Sequence, residues 1–472
     1  LDPSEVPQSR KTLNLLASRP NVLGRIAAGL GAIFVPLAER MIAPGGRVAL
    51  VLPKTLLTGL HWDETRQLLS QNFHVETIVS SHEAGHWNFS DSTDLSEVLV
   101  IARKLAESED RTGQETTWVQ LTKNPDNAID ALGVASSLSR MGNPGVNGTA
   151  ITVGSGLFSN FGTAFSRPAP ITDDPWLHAH FASAELDQVA MSLAAGGSIS
   201  LPRSLESTSI PLVALGEIAE IGPNRPRIHE AFVLTDSVTS YPSLWGHDSN
   251  VTTTIEAKSN TWLAVTTGDP RTPKWKTVRT PERAASYAAE LWQGSGTVMV
   301  AERLWLITHR ASSVCLPSRA LANMMWPVQL NKPDPDLDHC LTLWMNPTLG
   351  LIAWVGTAEE TRGPWMSMKK NKLVNLPVLD VPNLTTSQRG SLLQCWEAVH
   401  DCKLRPIAQT KEDPIRGQID AAIAQAFKIS LDSIEAIREL FSGEPRLKAR
   451  QARPTRKQRV KPPDIDELSL FG

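Results

Sequence analysis

The stretch "APGGRVALVLPKTLLTG", Ala43 to Gly59, decides how the first part of the chain folds. Pro44-Gly45-Gly46 ends whatever helix precedes it. Arg47 to Leu52 is a short apolar and β-branched run without alternation, the pattern of a strand buried on both faces. Upstream, Ile26, Leu30, Ile33, Phe34, Leu37 and Met41 recur at three- and four-residue steps, which predicts an amphipathic helix over 25–42, kinked at Pro36. Downstream, His61 to Gln71 has the helical period with Trp62, Leu68 and Leu69 facing inward. "HVETIVS" (His74–Ser80) and "EVLVIA" (Glu97–Ala102) have strand character. Strand, helix and strand in this rhythm predict an α/β layer with a parallel sheet, and the long loop before the last strand allows it to run antiparallel.

The chain has 472 residues, enough for two or three domains, with 41% hydrophobic and 20% charged residues. Its net charge of -3 provides no global field for nucleic acid, so such a role must rest on local patches. The four cysteines, Cys315, Cys340, Cys395 and Cys402, form no disulfide framework. Cys395, His400 and Cys402 lie close together but match no common zinc spacing, so no metal is expected. No apolar run approaches the ~20 residues that span a bilayer, and no signal peptide is visible. The expectation is a soluble, cytoplasmic chain without membrane contact. Because the first residue is Leu1 and not Met, the natural N-terminus is expected to lie upstream.

Residues 105–117 are polar and charged and are expected to be a boundary. Beyond them the sequence predicts a strand at Trp118–Leu121, a helix at Asn127–Ser139, loop or short strands over 140–175 and a helix at Ala182–Leu193. From Val213 the texture changes to short strands, Pro-rich turns and many tryptophans, an irregular α+β region. Leu341–Thr357 reads as an apolar helix broken at Asn346-Pro347. Helices follow near Thr386–Lys403, Pro414–Ala426 and Leu431–Phe441. The tail "RLKARQARPTRKQRVKPP" has eight basic residues and no acidic one, and is expected to be disordered.

Residues 30–103 resemble the N6-adenine DNA methyltransferases of restriction–modification and related defence systems. The resemblance is carried by "RMIAPGGRVALVLPKTLLTG", "WDETRQLLSQNFHVETIVS" and "NFSDSTDLSEVLVIARK", in that order and spacing. "IPLVALGEIAEIGPNR" and "NPTLGLIAWVG…RGPWMSMKKNKLVNLPVLD" are similar to the opening and closing parts of a target-recognition domain. The resemblance implies an α/β chain: an incomplete Rossmann-like methyltransferase sheet, then an irregular α+β target-recognition domain and C-terminal helices. The corresponding segments are 1–110 (late half of the methyltransferase domain), 111–205 (connecting region), 206–382 (recognition-like domain), 383–443 (helical region) and 444–472 (basic tail). It also implies S-adenosylmethionine as the methyl donor of the intact protein and double-stranded DNA as partner, with restriction or defence subunits as further partners. The Gly-rich cofactor loop and the Asn/Asp-Pro-Pro-aromatic motif that such enzymes need are both absent from these 472 residues. No catalytic residue is therefore expected in this chain.

Adenine N6 lies inside the duplex, so such an enzyme must flip the base and hold it. Phe89 in "NFSDST" matches the family's second aromatic for that purpose, where a stacked ring contributes roughly 1–3 kcal/mol. The competing reading is a loop Phe that caps the core. Asn88, Ser90 and Thr93 flank it and shape the pocket. Lys54, just past a strand end, either meets phosphate or is simply solvated, and solvation is the expectation. "ERLWLITHR" supplies Arg303, His309 and Arg310, and "RGPWMSMKKNK" supplies Arg362, Lys369, Lys370 and Lys372 beside Trp365. Cations next to aromatics suit backbone and base-edge contact with DNA, although a charge run is often only a solvated face. Two other readings stay open: a non-catalytic DNA-recognition subunit descended from such an enzyme, and a Rossmann-like methyltransferase acting on RNA, protein or small molecules.

Overall fold

A computed structural model describes residues 28–29, 31–90, 93–140, 150–154, 160–200, 207–247, 250–267 and 280–448. The chain folds as an α/β protein in which helices pack on several sheets.

Helix α1 (Gly31–Met41) leads through the Pro-Gly-Gly turn into β1 (Arg47–Pro53). Gly45 takes φ +82°, where L side chains are strained, and its N–H donates to the Lys104 carbonyl at 2.9 Å. Helix α2 (Asp63–Asn72) then returns the chain to β2 (Phe73–Ser81), and β3 (Glu97–Lys104), β4 (Glu115–Leu121), β5 (Ile151–Gly154) and β6 (Asn160–Pro168) complete a sheet of order β1-β3-β2-β4-β6-β5. Strand β3 lies antiparallel between β1 and β2, and β2 pairs parallel with β4. Trp62, Leu68 and Leu69 pack inward as their spacing predicts, against Leu52, Val98, Val100 and Trp118.

Three expectations change. Strand β1 is an edge strand, with Val51 44% exposed, because among the described residues nothing pairs along its outer side. Helix α1 turns Ala32, Ile33, Val35 and Pro36 inward and leaves Phe34 and Met41 outside. The polar stretch 105–117 is a connection within one sheet, since β4 continues the hydrogen-bonded ladder from β2 and the sheet runs on to Pro168.

The second half is built on a seven-stranded sheet. Its strands, in spatial order, are Ala219–Ile221, Met325–Leu330, Gly296–Ala301, Ser313–Ala322, Pro242–Leu244, Thr261–Val265 and Phe232–Thr235. The helices Pro335–Met345 and Thr348–Thr357 separate at Asn346-Pro347, as proline geometry predicts. The break is tied down: Asn346 Nδ2 donates to the Ser313 carbonyl at 2.8 Å, and the buried Arg416 donates to the Asn346 carbonyl at 3.0 Å. Helices Thr386–Val399, Pro414–Phe427 and Leu431–Gly443 start on Thr385, Asp413 and Ser430 caps. One apolar core joins these helices to the sheet and to the helix Ala184–Ala195. No helix among the described residues is long and apolar enough to cross a membrane.

Candidate nucleic-acid interface

A small three-stranded sheet carries two of the cationic candidates, Arg303 and Arg362. It pairs Arg303–Trp305 with Trp365–Ser367, and the latter with Glu359–Arg362. Cross-strand Trp305 and Trp365 lie with ring centroids 5.4 Å apart, both half-buried. The hairpin turns at Gly363, φ +51°, and its tip docks on the loop 82–96. The Gly363 N–H donates to Ser96 Oγ at 2.9 Å, the Ser96 N–H to the Thr361 carbonyl at 3.3 Å, and exposed Arg362 lies 3.4 Å from Asp94. A Cβ at position 363 would stand 2.2 Å from the Trp87 ring, so only glycine permits this approach.

The loop that receives the hairpin carries Phe89 and Asn88, and it is pre-shaped by Glu97. The Glu97 carboxylate accepts the Phe89 and Ser90 N–H groups at 2.8 and 2.9 Å and the Ser90 hydroxyl at 3.0 Å. The Asn88 amide donates to the Ser90 carbonyl and, at 2.7 Å, to the Thr93 carbonyl, so it shapes the loop from within. Phe89 is half-buried and packs beside Val79, Val119, Leu121 and Phe161. Phe89 and Asn88 thus lie on the loop that receives the hairpin, Phe89 against the apolar cluster, and Arg362 meets that loop at Asp94.

The other end of the hairpin region lines a cleft of about 630 Å³ bounded by Asn224, Glu302, Trp326, Lys369, Lys370, Asn371 and Val374. Lys369 lies 2.9 Å from buried Glu359, and Lys370 Nζ donates to the Ile221 carbonyl at 2.5 Å. Burial raises the Glu302 carboxyl above its ordinary value against the pull of Arg303 and Arg225. Arg303 is exposed beside it, with its Nε 3.9 Å from Glu302. Exposed Arg225 and Arg227 belong to the same electrostatic neighbourhood, the former acting on Glu302 and the latter on Lys370. Sequence reading missed these two. The signal was "NRPR": Asn224, which lines the cleft, caps the helix Arg225–Ala231, and Asn-Arg-Pro-Arg is a cap followed by two cations.

Four cations expected at a surface are committed elsewhere. His309 is 8% exposed; its Nδ1 accepts the Trp305 N–H at 2.8 Å, its Nε2 donates to the His247 carbonyl at 2.8 Å, and its ring lies 4.6 Å from that of His247. Arg310 reaches inward to the Leu404 carbonyl at 2.5 Å. Lys372 is buried, donates to the Thr357 carbonyl at 3.2 Å, and burial lowers its pKa to about 8. Lys54 is neither solvated nor open to phosphate: it is buried 3.0 Å from Glu360. Arg446, expected to begin the disordered tail, is buried in the short helix Pro445–Lys448; the tail beyond 448 lies outside the described residues. Cys395, His400 and Cys402 point apart, with His400 Nδ1 2.8 Å from Glu256 and the thiols near the Gln418 and Ala398 carbonyls.

No protein-family model and no curated protein matches the chain. Among solved structures it is similar to the type IIG restriction endonuclease BpuSI, at 13% identity and a TM-score of 0.38. The alignment covers 95% of this chain and 52% of that one, so the chain spans about half of that enzyme's length.

Proposed function

We propose that this chain is the DNA-recognition part of a restriction–modification protein, joined to the late half of a Rossmann-like methyltransferase sheet. Its target is a flipped adenine in double-stranded DNA. The reading rests chiefly on one observation: the loop carrying Phe89 and the cation-bearing hairpin Glu359–Ser367 are docked into one surface by Gly363, Ser96 and Trp87. A base-stacking ring and phosphate-facing arginines need that proximity. The exposed cations beside the cleft extend the same surface.

S-adenosylmethionine does not fit the residues present. The chain has no Gly-rich cofactor loop, and the strand ends that face a ligand in such sheets are closed by the buried groups Lys54, Glu360 and Arg446. The proposal therefore places the cofactor and methyl transfer outside this chain, and no step is derived through it.

Fluorescence anisotropy with labelled duplex DNA over a salt series tests the reading. Arg303→Ala and Arg362→Ala each lower the slope of log affinity against log salt by about 1, the signature of a lost phosphate contact. Phe89→Ala weakens binding to a duplex with an abasic or mismatched partner at the target more than to a plain duplex, because only there is the base already loose. Slopes identical to wild type in both arginine variants would remove the DNA reading.

A further inference from the structure

The parallel strands β1, β2 and β4 end together at a buried charged nest. Lys54 follows β1, His82 follows β2 and Gln120 lies near the end of β4; all three are 3% exposed or less. This is the end at which open α/β sheets take their ligands. Here the C-terminal half closes it. Glu360 Oε2 lies 3.0 Å from Lys54 Nζ and 3.3 Å from Arg446 Nη1. Glu444 is occupied otherwise, accepting the Ala182 N–H at 3.0 Å and facing Arg446 Nε at 3.5 Å. Asp187 is occupied as well, accepting the Phe181 N–H at 2.8 Å and the Gln120 amide at 2.5 Å. Two buried cations from opposite sides of the nest thus meet at Glu360, and Arg446 also faces Glu444.

Three features separate this arrangement from an ordinary buried ion pair. Burial pushes the Glu360 carboxyl up, but Lys54 and Arg446 outweigh it and hold the group ionised, below its usual value. His82 Nε2 and His180 Nδ1, on side chains at least 97% buried, have no hydrogen-bond partner, although groups buried this deeply are ordinarily satisfied. Glu360 also rides on a narrow hairpin whose register slips between Glu360 and Arg362.

We infer that Lys54 and Arg446 form a seat for a small carboxylate- or phosphate-type anion at the carboxyl ends of the sheet, closed in this conformation by Glu360 as an internal stand-in. Withdrawal of the hairpin Glu359–Ser367 would open the seat. The seat uses side chains other than the proposed DNA contacts but shares the hairpin Glu359–Ser367 with them, so its anion response is read apart from the salt slope of DNA binding.

Removing the stand-in tests it. In the full chain, Glu360→Ala leaves buried Lys54 without its carboxylate and Arg446 with Glu444 alone, and the Tm in sodium chloride falls by roughly 5–10 °C. Replacing chloride by sodium acetate or sodium phosphate at constant ionic strength restores half or more of that loss, with saturation. Rescue by acetate alone identifies a carboxylate seat, and rescue by phosphate alone a phosphate seat. The wild type, already occupied by Glu360, shows no saturating response, and Glu360→Ala/Arg446→Met loses the rescue. A Glu360→Ala chain that responds to neither anion more than the wild type overturns the proposal. Should that variant not fold, hydrogen exchange of Glu360→Gln decides: the Ser96 and Gly363 amides exchange faster than in wild type and are slowed by acetate. Unchanged exchange overturns the proposal equally.

Discussion

Single residues set the sharpest expectations. Asp338, on the helix Pro335–Met345, is 5% exposed; its Oδ2 accepts the Thr297 hydroxyl at 2.6 Å while its Oδ1 has no partner. Burial pushes its pKa up to about 6, against the Thr297 hydrogen bond. Between roughly pH 4 and 6 the folded state therefore holds a proton that the unfolded state has released, so this group's contribution to stability falls as pH rises through that window. Asp338→Asn, which cannot titrate, is expected to gain about 2 kcal/mol over wild type at pH 8 and nothing at pH 4. Urea unfolding at the two pH values measures this; equal differences at both would show that the carboxyl is not held protonated. The residue scale is also where sequence reading was weakest. "ERLWLITHR" and "KKNK" look alike as cation runs, yet Arg303 is exposed while His309 and Lys372 are buried. Composition does not distinguish them, because each long side chain is directed by the backbone on which it sits.

At the scale of elements, the hairpin Glu359–Ser367 carries the most consequence. Its turn needs glycine twice over, for φ +51° and for the contact with Trp87. Gly363→Ala is expected to cost about 1–3 kcal/mol and to loosen the loop 82–96. Gly443, where an added Cβ meets nothing within 4 Å, is the matched control, and Gly443→Ala leaves stability unchanged or slightly improved. Thermal unfolding with hydrogen exchange over 82–96 reads both effects. Equal behaviour of the two variants would mean that the docked tip is not a structural requirement. Elements themselves were largely legible. The Pro-Gly-Gly stop, the inward Trp62, Leu68 and Leu69, and the break at Asn346-Pro347 follow from local rules that no distant contact overrides. The inward face of α1 did not, because its apolar residues outnumber the positions that the sheet covers.

For the whole molecule, the short helix Pro445–Lys448 ties the C-terminal segment to the rest. Glu444, Arg446 and Leu447 are buried against the two halves, whereas the basic run continues beyond. A chain ending at Lys448 is expected to bind duplex DNA with a flatter salt dependence, having lost phosphate-neutralising charges. A chain ending at Gly443 also loses the groups that join Glu360 to Ala182 and His180, and its Tm falls. Scanning calorimetry of the two chains checks this. An equal Tm for both would mean that residues 444–448 add nothing to the union of the halves.

The sequence alone determined the α/β character and the order of helices and strands from Gly31 to Lys104, and it allowed the last of those strands to run antiparallel, because these depend on periodicity, caps and turn residues read within a few positions; its insertion between β1 and β2 came from the tertiary structure. Only the tertiary structure decided that β1 is an edge, that residues 105–117 lie inside one sheet, and that Lys54 meets Glu360 across more than 300 positions of chain. The reason is physical: burial of a charge depends on which distant partner neutralises it, and no local pattern records that partner.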